Sequence, residues 1–71
     1  EELGRKQGMA SDYGNLGLLF EARGDMAAAC GHWRSARALY QAVGIPHREA
    51  TVSGWIAKAG CPPPAAEPAS P

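Results

Sequence analysis

The chain has little of what marks catalytic, membrane or nucleic-acid-binding proteins. Its 71 residues include two cysteines, and seven basic side chains balance seven acidic ones. Two cysteines are too few for a disulfide framework, and balanced charge gives no field that attracts nucleic acid. No apolar run approaches the roughly 18 residues of a membrane span, and no signal-peptide pattern opens the chain. We therefore expect one small cytoplasmic domain with reduced cysteines, and neither nucleic acid nor membrane as a partner.

Catalytic and metal sites also lack their usual patterns. Cys30 and His32 are two residues apart on a predicted helix and point about 200° from each other, so they cannot act as nucleophile and base. No strand precedes a glycine-rich loop of the kind that binds phosphate. Cys30, His32, His47 and Cys61 have no recognised zinc-ligand spacing. We expect no catalytic residue, no metal and no cofactor, so the chain is not predicted to be an enzyme.

The C-terminal residues differ in composition from the rest. The segment 61–71 contains five prolines and no large apolar residue. Proline at this density prevents helix and sheet formation. We therefore expect a tail or linker there, and whether it is a natural C-terminus stays open. Because the chain begins with Glu1 rather than Met, we also expect a piece of a longer protein or a processed product.

Apolar residues recur at helical spacing through the first sixty positions. The three stripes are Met9, Tyr13, Leu16 and Phe20; Met26, Ala29, Trp33, Ala36 and Tyr40; and Val52, Trp55, Ile56 and Ala59. Gly24 and Asp25 suit the end of one helix and the cap of the next, while Gly44 and Pro46 suit the second connection. The pattern predicts an all-α antiparallel stack with helices at about 7–23, 26–43 and 47–59.

A shift of forty residues aligns the third helix with the first. It pairs Gly14 with Gly54 and Leu16 with Ile56, so the third helix looks like a degenerate copy of the first. The chain would then hold about one and a half repeats of roughly forty residues. In this interpretation residues 1–4 are the end of a preceding helix.

Seven positions at fixed spacing in the first two helices resemble the tetratricopeptide signature. They are Tyr13, Leu16, Gly17 and Phe20, followed by Ala29, Trp33 and Ala36. Gln41 stands where the family has a proline, and the longer connection to Pro46 is typical of its extended-period members. The resemblance implies an α-solenoid repeat fragment over 1–60, made of one antiparallel helix pair and a following helix. Small residues are expected where the two helix backbones approach closely.

The resemblance also implies a function, which is protein–protein interaction. In this family the first helices of successive repeats line a concave groove that receives a peptide or a partner helix. The corresponding positions here are Ser11, Asn15, Leu18, Ala22, Thr51, Trp55 and Lys58. Asn15 lies where the family commonly keeps a ligand-binding asparagine. Only Lys58 is basic among these positions, so a carboxylate clamp is not expected.

A structural role is the alternative interpretation. Trp55 would then cover the end of the stack, and the chain would end an array or self-associate without a separate ligand. Exposed Ser11, Asn15, Leu18 and Trp55 side chains would favour the groove, whereas a buried Trp55 or a symmetric contact would favour the structural role.

Burial and self-association are predicted from the same stripes. We expect the most buried residues to be Tyr13, Leu16, Phe20, Ala29, Trp33, Ala36 and Ile56. The face of the first helix around Met9, Leu16 and Leu19 would normally be covered by a neighbouring tetratricopeptide repeat. Without that neighbour, the chain is predicted to form a homo-oligomer or to be only marginally folded.

Overall fold

Three α-helices make up the part of the chain that the computed structural model describes, residues 2–61. They are α1 (Glu2–Ala22), α2 (Met26–Val43) and α3 (Pro46–Ala59). No strand occurs within residues 2–61, which confirms the all-α prediction. Among these helices, none combines the length and the apolar character needed to cross a membrane. The predicted proline-rich tail lies outside the described residues, except for Cys61.

The ends of α2 and α3 follow the predicted signals. The Asp25 side chain accepts a hydrogen bond from the Ala28 backbone N–H at 3.2 Å, which caps α2. Gly44 ends α2 with a φ of 75°, in the left-handed region that glycine adopts without steric cost. Pro46 occupies the first turn of α3, where its missing N–H is not needed. The α2 bounds are as predicted, and α3 begins one residue earlier.

The start of α1 differs from the prediction. Residues 2–4 continue into α1, so they are not the end of a separate preceding helix. Gly4 and Gly8 weaken a helix by up to about 1 kcal/mol each, but neither adds a capping side chain that would start a new one. A Lys6–Glu2 ion pair, 3.5 Å between Nζ and Oε2, spans the first turn in the favourable i, i+4 arrangement.

The helices pack antiparallel, as predicted. Along the α1–α2 contact, Ser11 meets Tyr40 and Phe20 meets His32, so residue numbers rise on one helix as they fall on the other. Along the α2–α3 contact, Trp33 contacts Trp55 and Gln41 donates a hydrogen bond to Glu49, so these two helices are also antiparallel. α3 packs mainly on α2, and it reaches α1 where the Trp55 ring lies over Gly14.

The core lies on the face of α2 that is turned to both other helices. Its buried apolar residues are Ala10, Ala29, Cys30, Trp33, Ala36, Tyr40, Val52 and Ile56. Of the seven expected, four are buried, while Tyr13 and Phe20 are half-buried. Leu16 is 37% exposed, so its predicted burial is wrong. The inward side of α1 instead consists of Ala10, Gly14 and Gly17, and Leu16 lies about 100° around the helix from Gly17.

A disulfide joins Cys30 in α2 to Cys61 after α3. The expectation of two reduced cysteines is therefore wrong for this structure. Gly60, with a φ of 73°, turns the chain back at the end of α3, and the Cys61 N–H donates to the Ile56 carbonyl at 3.1 Å. This turn places the two Cα atoms 5.7 Å apart. No local pattern indicated the pairing, because the two cysteines are 31 residues apart and are brought together only by the packing of the helices.

Overpacking the α1–α2 contact tests this arrangement. Ala36 is fully buried, so Ala36→Leu is expected to lower the free energy of unfolding by about 1–3 kcal/mol, because the extra atoms have no space. Ala38→Leu, on the exposed side of the same helix, is the matched control and should change stability by less than about 0.5 kcal/mol. Urea titration followed by circular dichroism measures both. Equal stability of the two variants would contradict the packing.

Candidate partner-binding groove

An open groove of about 430 Å³ lies between α1 and α3, with α2 beside it. Its lining residues are Ser11, Gly14, Asn15, Tyr40, His47, Arg48, Thr51, Val52 and Trp55. The groove is therefore built mainly from the middle of α1 and the N-terminal half of α3. These two helices run in the same general direction because both are antiparallel to α2.

Four of the seven residues predicted for a groove line this one. Ser11 and Asn15 belong to its α1 side, and Thr51 and Trp55 belong to its α3 side. The forty-residue shift pairs Ser11 with Thr51 and Asn15 with Trp55, so equivalent positions of the two helices face the same space.

The other three predicted positions are exposed but do not line the groove. They are Leu18, Ala22 and Lys58. All three lie three or more residues beyond the last lining residue of their own helix. The Trp55 ring, at the C-terminal end of the α3 lining, lies over Gly14 with one atom 3.6 Å from where a Cβ atom would be.

Trp55 also belongs partly to the core. Its side chain is half-buried, and its ring centroid is 5.8 Å from that of the fully enclosed Trp33. Asn15 and Leu18 are exposed, whereas Ser11 is half-buried like Trp55. The exposure pattern that would separate a groove from a structural role is thus mixed, because Trp55 both packs on the core and faces the groove.

Some polar groups of the groove are hydrogen-bonded within the protein, and others are not. The Ser11 and Tyr40 hydroxyls hydrogen-bond each other at 3.2 Å, and Thr51 Oγ1 donates to the His47 carbonyl at 3.0 Å. The Asn15 and Arg48 side chains make no hydrogen bond or ion pair with any residue in the described range 2–61. Both are exposed, so a bound partner would meet them without first breaking an internal interaction.

The positive charge of the groove comes from Arg48, near the start of α3. His47 lies beside it, and none of the described lining residues carries a carboxylate. The sequence interpretation missed both residues, together with Gly14, Tyr40 and Val52. His47 lies four residues before Thr51 and eight before Trp55, so extending that stripe by one turn would have found it.

His32 and Cys30 of α2 are both held by contacts with other side chains of the fold. The His32 ring stacks with those of Tyr13 and Phe20, at centroid distances of 5.9 and 5.2 Å. Cys30 is bonded to Cys61. Within residues 2–61, no group of three or more His, Cys, Asp or Glu side chains is placed to hold a metal ion.

Comparison with known proteins does not place the chain in a family. No family model matches it, and neither does any curated protein or solved structure. The candidate site therefore rests on its own geometry.

Proposed function

We propose that this chain is a protein-interaction module that receives a peptide or a partner helix in the groove between α1 and α3. The observation that carries the proposal is the pair of exposed, internally unbonded side chains of Asn15 and Arg48 beside the aromatic ring of Trp55. Trp and Arg are enriched among the residues that dominate the binding energy of protein interfaces, and the Asn15 amide beside them can donate and accept hydrogen bonds.

The repeat architecture is part of the same proposal. An antiparallel helix pair followed by a third helix is the arrangement that one and a half tetratricopeptide-type repeats would have. The small residues at Gly17, Ala29 and Ala36, with Trp33 packed among them, support it. Neighbouring repeats would then be further partners of this chain.

The chemistry of the groove favours an acidic partner segment over a basic one. Arg48 supplies positive charge to the lining, whose described residues include no carboxylate. Opposite charge on a partner would increase the rate of encounter and fix its orientation. We therefore infer that the bound segment carries an apolar side chain for Trp55 and an acidic group near Arg48.

The cellular compartment affects this proposal through the disulfide. Disulfides persist in oxidising compartments and are rare in the cytosol. In the cytoplasmic setting expected from the sequence, the Cys30–Cys61 bond would be reduced. The C-terminal end of α3 would then lose its disulfide link to α2. We infer that the groove is best formed where the bond can persist.

Peptide selection tests the groove. Peptides selected from a displayed random library on the immobilised 71-residue chain are expected to bind Asn15→Ala/Arg48→Ala at least about tenfold more weakly, because both open polar contacts are lost. Leu18→Ala and Lys58→Ala, at predicted positions outside the groove, are the matched controls and should bind like the original chain. Fluorescence anisotropy gives the affinities.

Trp55→Ala is a poor probe of binding alone, because its ring also packs on Trp33. That contact supports the structural alternative, in which Trp55 covers the end of the core. Selected peptides that bind Asn15→Ala/Arg48→Ala as tightly as the original chain would contradict the groove proposal. A Trp55→Ala variant that only lowers the melting temperature would then favour the structural role.

A further inference from the structure

A second exposed surface runs along α1, away from α2. Met9, Leu16 and Leu19 are 42%, 37% and 47% exposed, which is unusual for large apolar side chains grouped on one helix. Together with Asp12 and Arg23 they form what we call the α1 seam. Its members, Met9, Asp12, Leu16, Leu19 and Arg23, recur at alternating steps of three and four, the heptad spacing of a coiled coil.

The seam is separate from both the core and most of the groove. The core side of α1 consists of Ala10, Gly14 and Gly17. A shallow depression of about 390 Å³ follows the seam and is lined by Asp12, Asn15, Leu16 and Leu19. Asn15 alone borders both surfaces, so tests of the seam leave that residue unchanged.

The two charges of the seam are complementary to each other. Asp12 has no hydrogen bond or ion pair with any residue in the described part of the chain. Arg23, just after the end of α1, holds its guanidinium 5.8 Å from the Phe20 ring centroid. The acid and the base lie eleven positions apart at opposite ends of the leucine pair, too far along one helix to meet each other.

A second copy of the same chain would bring these charges together. In an antiparallel pairing of two α1 helices, residues whose numbers add to the same total face each other. With a total of 35, Leu16 faces Leu19 of the second copy and Asp12 faces Arg23 of the second copy. Two-fold symmetry repeats each contact.

The alternative alignment, shifted by one heptad, has a total of 28. It places Asp12 against Leu16 of the second copy and Arg5 against Arg23 of the second copy. A carboxylate on an apolar side chain and two facing guanidinium groups are both unfavourable. The charges therefore favour the alignment with a total of 35 over the one with a total of 28.

We propose that two copies of this chain dimerise through the α1 seam in this antiparallel alignment. The leucines form the centre of the contact, and an Asp12–Arg23 ion pair lies at each end. A contact of about three helical turns is smaller than a standard interface, so the dissociation constant is expected between roughly 1 μM and 1 mM. The proposal does not depend on the groove, because Asn15 is the one described residue that lines both surfaces and the dimer contact does not use it.

Sedimentation equilibrium of the 71-residue chain over that concentration range tests the dimer. Leu16→Glu is expected to raise the dissociation constant roughly 100-fold, because symmetry places the new carboxylate in the contact twice. Leu18→Glu is the matched control, since Leu18 is 39% exposed but off the seam, and it should change the constant less than about twofold. Equal effects of the two variants, or a monomer at every concentration, would overturn the dimer proposal. Either result would mean that something other than a second copy covers the α1 seam.

A charge exchange tests the alignment and does not depend on the leucines. Asp12→Arg and Arg23→Asp should each raise the dissociation constant by about tenfold, because like charges then face each other. The double variant restores both ion pairs with reversed sign, and its constant should return to within about threefold of the original. Both positions are exposed, so the helical circular dichroism should be unchanged. A double variant as weak as the single ones would overturn the antiparallel pairing.

Discussion

Opening the Cys30–Cys61 disulfide is expected to lower the free energy of unfolding by about 3–4 kcal/mol, the largest effect of any change described here. The bond closes a loop across a separation of 31 residues, and its loss returns that loop's conformational freedom to the unfolded chain. A chain with about sixty folded residues has only about 3–9 kcal/mol of stability in total. Reduction should therefore bring the protein close to the midpoint of unfolding at room temperature.

Thermal melts followed by circular dichroism measure this effect. The melting temperature is expected to fall by roughly 12–30 °C when a reductant is added, since each kcal/mol shifts a domain of this size by about 4–8 °C. Cys30→Ala/Cys61→Ala should melt like the reduced chain and should not respond to reductant, which separates loss of the bond from other effects of the reagent. A melt that is the same with and without reductant would show that the bond does not stabilise the fold.

The disulfide also links stability to the proposed function. Five of the described groove residues belong to α3, namely His47, Arg48, Thr51, Val52 and Trp55. The C-terminal end of this helix is joined to α2 by the Cys30–Cys61 disulfide in addition to its core packing. α3 has no side-chain cap at its N-terminus, and it makes its main contact with α2. Opening the bond is therefore expected to loosen the α3 side of the groove before α1 and α2 separate.

The positions of α2 and α3 were predictable from local chemistry, whereas the start of α1 and its two faces were not. Asp25, Gly44 and Pro46 act through the backbone nearest to them, so their effect on α2 and α3 could be predicted without knowledge of the fold. α1 carries apolar residues on a core face and on an exposed face. A search for one apolar stripe therefore assigned Leu16 to the core, although the small residues Ala10, Gly14 and Gly17 are the ones that face inward.

The groove was predictable only as far as the forty-residue shift holds. The shift gave equivalent positions on α1 and α3, and it located Ser11, Asn15, Thr51 and Trp55, which line one space. It could not show that the Trp55 ring folds over Gly14, or that Leu18 and Lys58 lie outside the lining. Long-range side-chain packing of this kind, like the Cys30–Cys61 pairing, depends on how three helices meet and has no local sequence signal.

Gly17 is the position where the smallest substitution should have a large effect. The sequence interpretation expected a small residue there because helix backbones approach closely, but the structure shows that the Trp33 ring fills the space. A Cβ atom on Gly17 would lie closer than 3.0 Å to three atoms of that ring. Trp33 is 1% exposed, and its Nε1 donates a hydrogen bond to the Gly14 carbonyl at 3.3 Å, so the ring cannot move without losing that bond.

Gly17→Ala is therefore expected to lower the free energy of unfolding by about 2–4 kcal/mol, from overpacking and from a buried N–H left unbonded. The effect should appear although alanine favours helix over glycine by up to about 1 kcal/mol. Gly8→Ala, in open space on the same helix, is the matched control and should raise stability by that amount. Gly14→Ala should be tolerated, because its Cβ would meet only the Trp55 ring at 3.6 Å. Urea titrations followed by tryptophan fluorescence measure the free energy of unfolding of each variant. A Gly17→Ala variant as stable as Gly8→Ala would mean that the Trp33 ring does not fill the space beside Gly17.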